Sequence, residues 1–139
     1  MEGSFSRAHA CTINESKGHT LRRWSGRNVV MEGLMEKRGI WIRSWKTRYF
    51  VLESSGRLRY FRCEADKHYP ERAKGTIPIS MDTVLEPAES KTGRKCIKIS
   101  ASDGPTLKLS ARSEVAHMHW VRELQKVQNN VCFISDIFL

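Results

Sequence analysis

The chain has 139 residues, of which 40% are hydrophobic and 28% charged, which fits one globular domain and leaves little room for two. The net charge of +9 at pH 7 indicates attraction to anionic surfaces but does not choose between a membrane and a nucleic acid. No apolar run is long enough to span a bilayer, no secretory or myristoylation signal is evident, and the four widely spaced cysteines exclude the usual zinc-ligand spacing. We therefore expect a cytoplasmic protein with free thiols and no bound metal or cofactor.

The first 28 residues are polar and basic and follow no helix or strand period, which predicts a flexible N-terminal extension. Within it, Arg22 and Arg23 precede Ser25 in the pattern of a basophilic kinase site. A phosphate on Ser25 would add negative charge beside a cationic surface. We therefore expect such a modification to weaken association with an anionic membrane.

Two runs with strand character, residues 29–37 and 46–52, predict a β-hairpin with a charged connector. From Lys37 to Arg48 the chain has five basic residues and no acidic residue. Strand alternation puts Lys46 and Arg48 on one face, and an antiparallel partner strand brings Lys37 to the same open end. Because charge-assisted hydrogen bonds to phosphate oxygens are strong, this convergence favours a phosphorylated ligand.

The remaining pattern predicts five more strands and one helix. The strands are expected at residues 57–63, 75–79, 83–85, 96–100 and 106–110, with a polar loop over 64–74. The helix is expected over residues 113–128, with Ser113 as its N-cap and Trp120 on its apolar stripe. Asn129 and Asn130 are predicted to end it. We therefore divide the chain into a basic extension (1–28), a folded domain (29–128) and an apolar C-terminal tail (129–139).

The pattern of Lys37, a short loop and then Trp45-Lys46-Thr47-Arg48-Tyr49-Phe50-Val51-Leu52 closely resembles pleckstrin homology (PH) domains of the phosphoinositide-binding subset. This resemblance implies a mainly β fold, a seven-stranded bent antiparallel barrel of two near-orthogonal sheets capped by an amphipathic C-terminal helix. It also implies that Trp120 packs into the core. The residues that it implies for binding the head group are Lys37, Arg43, Lys46, Arg48 and Tyr60.

What the resemblance implies about function is a non-catalytic module that is recruited reversibly from the cytoplasm to a membrane, in the first place the plasma membrane. Arg43 and Tyr60 beside the three cations resemble the set in members that prefer lipids phosphorylated at the 3-position, PI(3,4,5)P3 or PI(3,4)P2. Additional lipid contacts are expected from Arg38, Trp41, Ile42 and Lys74. For Trp41 and Ile42, insertion into the membrane interface and packing under the loop remain equal alternatives.

The main alternative is a PH-fold module that binds a protein partner, through the apolar tail or the barrel surface, and holds anionic lipids only weakly. Nucleic acid is disfavoured as a partner because the cations gather at one hairpin mouth and no nucleic-acid module signature is present. The sequence contains no nucleophile motif, P-loop or dinucleotide fingerprint. We therefore do not expect an enzyme.

Overall fold

The computed structural model describes residues 28–39, 44–101, 104 and 106–138, with side chains as far as residue 131. Within that part of the chain there are seven β-strands and one α-helix. They are β1 (Val29–Arg38), β2 (Lys46–Glu53), β3 (Arg57–Phe61), β4 (Gly75–Pro78), β5 (Val84–Glu89), β6 (Lys95–Ser100), β7 (Thr106–Ala111) and α1 (Glu114–Phe138). The predicted loop between β3 and β4 contains two short 3₁₀ helices, Glu64–His68 and Pro70–Arg72.

The strand that holds the sheet together is β1. It pairs antiparallel with β2 over residues 29–37, and its last residues, 35–38, also pair antiparallel with β7. The strand order is β4-β3-β2-β1-β7-β6-β5, so all seven strands belong to one hydrogen-bonded sheet. The predicted fold class is therefore confirmed, and β1 joins the two expected sheets into one.

The main core lies between the inward faces of the strands and one stripe of α1. Phe50 and Leu52 of β2 are fully buried in it, and Trp120 of α1 is 2% exposed. Leu124 and Val127 follow Trp120 at helical spacing and belong to the same cluster. Each large side chain buried in this way stabilises the fold by about 1.5–3 kcal/mol. The predicted role of Trp120 is confirmed.

A smaller cluster occupies the opposite face of β2 and β3. It consists of Tyr49, Val51 and Phe61, with Ala73 packed against it, and the 3₁₀ helix Glu64–His68 lies against both strands. The Tyr49 hydroxyl donates a hydrogen bond to Glu32 Oε1 (2.6 Å). The alternation along β2 is therefore as predicted, because Tyr49 and Val51 face away from the main core.

The helix begins as predicted but ends later. Ser113 Oγ accepts a hydrogen bond from the Ala116 amide (3.1 Å), so Ser113 is the N-cap. The predicted end at Asn129 and Asn130 is wrong, because α1 continues to Phe138. Asparagine is a weak helix former rather than a helix breaker, costing well under 1 kcal/mol per residue, and Val131 packs against the main core. No helix in the described residues combines the length and apolar character needed to span a bilayer.

Two cysteines of the domain differ in their chemical state. Cys96 is a free, buried thiol, whereas Cys63 is disulfide-bonded. The expectation of free thiols throughout is therefore wrong at Cys63. The spacing of cysteines along a sequence does not show which of them meet in space.

Candidate functional site

A cluster of cations lies at the open end of the β1–β2 hairpin. Lys37 is directly opposite Lys46, and Arg48 is opposite Met35, two positions further along. Because residues two apart on a strand share a face, Lys46 and Arg48 lie on the face that Phe50 presents to the core. Lys37 shares the face of the buried Met35. The structure therefore brings the three predicted cations together, as strand alternation requires.

Tyr60 forms a wall of this cluster. It is opposite Phe50 on the β2–β3 pair, and the two ring centroids are 5.5 Å apart. Lys37 Nζ lies 5.0 Å from the centroid of the Tyr60 ring, within the range of a cation–π contact. The predicted partner Tyr60 thus contacts Lys37 directly, and its ring limits where the ammonium group can lie.

Gly75 makes room for that ring, and sequence reasoning missed it. Gly75 is opposite Tyr60 on the β3–β4 pair. A β-carbon at this position would lie 2.3 Å from the Tyr60 phenolic oxygen and 2.5 Å from its Cζ, which is closer than non-bonded atoms can approach. The available signal was a glycine in a strand, which often marks the close approach of another group.

The electrostatics of the cluster are those of an incomplete charge balance. The pKa of Lys37 is lowered from its ordinary value, first by burial and then by the charges of Arg48 and Lys46. Burial raises the pKa of Tyr60, and the charge of Arg48 opposes that effect. Among the residues that the structure describes, no carboxylate forms an ion pair with Lys37 or Lys46. An anion at this end of the sheet would relieve the repulsion.

The Arg48 side chain is positioned by the backbone of its own strand. Its Nη1 donates a hydrogen bond to the Thr47 carbonyl oxygen (2.9 Å). An arginine held in this way keeps a planar set of further donors. Such a group suits the recognition of a phosphate through two parallel hydrogen bonds.

The other predicted residues have different placements. Lys74 is exposed, and its amide donates to the Tyr60 carbonyl oxygen (2.8 Å), so it adjoins the cluster. Arg38 does not belong to it, because it is adjacent to Lys37 on β1 and therefore lies on the opposite face of the sheet. The predicted contacts Trp41, Ile42 and Arg43, and the predicted phosphorylation site Ser25, lie outside the described residues.

The fold and this cluster agree with a comparison against protein-family models. Residues 29–129, which span all seven strands and the first half of α1, match the model described as PH domain. The chain belongs to the PH domain family. The sequence resemblance, which was carried by the first two strands, thus extends over the whole folded part of the chain.

Relatives of this PH domain are parts of longer proteins. The mouse protein named "Differentially expressed in FDCP 6" is 29% identical over 98 residues, which cover 70% of this chain and 15% of that protein. The rat RAC-beta serine/threonine-protein kinase is 28% identical over 113 residues, which cover 75% of this chain and 22% of the kinase. The chain thus spans less than a quarter of the length of these relatives.

Among solved structures, the C-terminal PH domain of pleckstrin, in complex with D-myo-Ins(1,2,3,4,5)P5, is similar to this chain with a TM-score of 0.57. The similarity covers 72% of this chain and 98% of the pleckstrin domain, at 23% sequence identity. At that identity the likeness concerns the fold. It agrees with the antiparallel sheet and C-terminal helix described above.

Proposed function

We propose that this PH domain is a non-catalytic module that recruits the protein carrying it to membranes by binding phosphoinositide head groups. The residues proposed to bind the head group are Lys37, Arg43, Lys46, Arg48 and Tyr60. The ligand class is a lipid phosphorylated at the 3-position, PI(3,4,5)P3 or PI(3,4)P2. The domain would reside in the cytoplasm and associate reversibly with the plasma membrane.

The observation that carries this proposal is the convergence of Lys37, Lys46 and Arg48 on one end of the sheet without a carboxylate paired to either lysine. Gathering three like charges costs free energy in the absence of ligand. Phosphate oxygens offset that cost with charge-assisted hydrogen bonds, each contributing about 1.5–3 kcal/mol. The cluster is thus a site whose electrostatics favour a polyphosphate over a neutral ligand.

The choice of inositol phosphate as the polyphosphate has two supports. One is the resemblance of Lys37, Lys46 and Arg48, with Arg43 and Tyr60, to family members that bind 3-phosphorylated lipids. The other is the pleckstrin domain of similar fold, which was solved with a bound inositol pentakisphosphate. The net charge of +9 adds a general attraction of about 1 kcal/mol for each basic residue close to an anionic leaflet.

A liposome experiment tests the proposal. Vesicles of equal total charge carry PI(3,4,5)P3, PI(3,4)P2, PI(4,5)P2 or only phosphatidylserine, and sedimentation measures binding of the wild type and of Arg48→Ala. The control is Arg57→Ala, which removes an exposed arginine at the other end of the β2–β3 hairpin. We expect selective binding to 3-phosphorylated vesicles that falls about 10- to 100-fold in Arg48→Ala and changes little in Arg57→Ala.

The opposite result has a clear meaning. Equal weak binding to all vesicles, abolished by salt and lowered similarly by both substitutions, would show that only general charge attraction operates. The protein-interaction alternative would then replace the lipid proposal. A large loss of thermal stability in Arg48→Ala would show instead that this side chain serves the fold.

A further inference from the structure

A second group of cations lies on the face of the sheet opposite to the cluster of Lys37, Lys46 and Arg48. Arg38 is directly across from Lys108 on the β1–β7 pair, and Lys108 is across from Lys98 on the β6–β7 pair. Because Leu107 and Leu109, the neighbours of Lys108 on β7, belong to the main core, Lys108 points outwards. Three cations therefore lie side by side, although like charges directly opposite one another destabilise a sheet.

A cavity of about 330 Å³ opens beside this row. It lies between the end of β1, the β5–β6 turn and the start of β7. The charged and hydroxyl residues that line it are Arg38, Lys91, Lys108, Ser90, Thr106 and Glu89. Its size is at the lower end of the range of small-ligand pockets, and its lining is suited to an anion.

The charges in this cavity do not cancel. In the part of the chain that the structure describes, Arg38, Lys91 and Lys108 form no ion pair. The single acid of the lining, Glu89, is directly opposite Lys95 on the β5–β6 pair, so its charge is already balanced in part. Three cations are left facing the cavity.

The β5–β6 turn holds one of these cations in place. The Ser90 amide donates to the Arg94 carbonyl oxygen (2.9 Å) and the Gly93 amide donates to the Ser90 carbonyl oxygen (2.9 Å). Ser90 Oγ also accepts from the Arg94 amide (3.1 Å), and Gly93 has a φ of 82°, which favours glycine. Lys91 therefore projects from a turn that is closed by several hydrogen bonds.

The buried thiol beneath the cavity also experiences this positive potential. Burial raises the pKa of Cys96, and the charges of Lys108, Arg94 and Arg38 act against that rise. Arg94 is already ion-paired with Glu36 and lies over the ring of Trp45, 5.0 Å from its centroid. The cations with open coordination towards solvent are thus those of the cavity itself.

We propose that this cavity is a second phosphate-binding pocket, in which Arg38, Lys91 and Lys108 hold a phosphomonoester of an inositol phosphate and the hydroxyls of Ser90 and Thr106 donate to its oxygens. Lys37 and Arg38 are adjacent on β1, so the two pockets flank the same hairpin end on opposite faces. Both can therefore face one membrane, and the domain takes two head groups. The second pocket depends on none of the residues proposed for the first.

The test uses the described domain within the full chain, with soluble inositol 1,3,4,5-tetrakisphosphate as the probe in calorimetry and amide NMR. The second pocket is removed in Lys91→Ala/Lys108→Ala and the first in Lys46→Ala/Arg48→Ala. The control, Lys98→Ala/Arg57→Ala, removes two charges that line neither pocket. We expect two binding events in the wild type and in the control. Each pocket variant loses one event, with an affinity reduction of about tenfold or more for each cation removed.

The NMR readout keeps the two proposals distinguishable. In Lys46→Ala/Arg48→Ala, shifts that persist at residues 90, 91, 106 and 108 on titration support the second pocket even if the first proposal fails. One binding event in the wild type, unchanged in Lys91→Ala/Lys108→Ala, would overturn the second pocket. An equal loss in the control would overturn it as well, because general charge would then explain the binding.

A vesicle arm identifies the source of the phosphate. Binding to vesicles with increasing phosphoinositide density is compared between the wild type and Lys91→Ala/Lys108→Ala. A steeper density dependence in the wild type assigns the second pocket to a lipid head group. Identical curves, together with two events in calorimetry, assign it to a soluble inositol phosphate.

Discussion

Gly75 and Tyr60 are directly opposite one another on β4 and β3, and the Tyr60 ring fills the space that a side chain at position 75 would need. The same ring contacts Lys37 on its other side. The shape of the proposed lipid pocket thus depends on the absence of a single β-carbon on a neighbouring strand.

Gly75→Ala is therefore expected to weaken head-group binding by displacing Tyr60, at a cost of about 1–3 kcal/mol in stability from overpacking. The control is Gly33→Ala, whose β-carbon would meet only Trp120 Cζ2 at 3.9 Å, an ordinary contact. Urea unfolding and calorimetry with a soluble inositol phosphate measure the two effects. The mechanism predicts that Gly75→Ala becomes nearly neutral for stability in a Tyr60→Ala background, and an unchanged cost there would contradict it.

Lys37→Met is expected to raise stability while it lowers binding. The substitution removes repulsion with Lys46 and Arg48 and keeps an apolar stem of similar length, and like-charge pairs across strands cost about 0.2–1 kcal/mol. The thermal midpoint without ligand should rise, and phosphoinositide binding should fall. A fall in both quantities would indicate that Lys37 supports the fold rather than a ligand.

Binding should be accompanied by proton uptake in alkaline buffer. In the folded domain the pKa of Lys37 lies below its ordinary value of 10.5, first through burial and then through Arg48 and Lys46. Lys37 therefore destabilises the fold below its folded pKa, and this penalty disappears as the pH rises towards 10.5. A bound polyphosphate raises the pKa again, so affinity should fall as the pH rises through this window.

Calorimetry in two buffers of different ionisation enthalpy measures that proton uptake. Lys37→Arg is the matched control, because arginine remains charged throughout the window and should remove the contribution of this residue. Equal proton uptake in the wild type and in Lys37→Arg would exclude Lys37 as its source.

Trp120→Ala is expected to cost about 3–5 kcal/mol, the usual cost of truncating a buried tryptophan. Met118, on the same helix but 58% exposed, provides the comparison, since Met118→Ala should change stability by less than about 0.5 kcal/mol. Denaturant unfolding of the two variants checks the difference. Similar costs for both would place the helix differently against the sheet.

The extension of α1 beyond residue 128 can be tested at Val131. A methyl carbon of Val131, Cγ2, approaches to 3.0 Å the position that a β-carbon on Gly56 would take, and Val131 packs against the main core. Val131→Ala should therefore cost about 1 kcal/mol, whereas exposed Asn130→Ala should be neutral or slightly stabilising because alanine is the better helix former. A neutral Val131→Ala would indicate that the helix ends where the asparagines occur.

The sequence alone was sufficient for the strands, the helix start and the first cation cluster, because each depends on local periodicity. Lys46 and Arg48 share a face by alternation, and Lys37 joins them once a hairpin is assumed. Gly75 and Arg38 required pairings between strands that are distant in sequence, β3 with β4 and β1 with β7. The helix end was wrong because the asparagines outweighed the apolar periodicity that carries α1 on to Val131.

The sheet has two edge strands, β4 and β5, and both contain a proline, Pro78 and Pro87. A proline lacks the amide hydrogen that an added strand would need, so it blunts an exposed edge against pairing with another chain. A membrane confines bound domains to two dimensions and raises their local concentration, which is a condition under which open edges would otherwise polymerise. Its edge chemistry therefore lets this domain crowd onto a lipid surface without extending its sheet into a neighbouring copy.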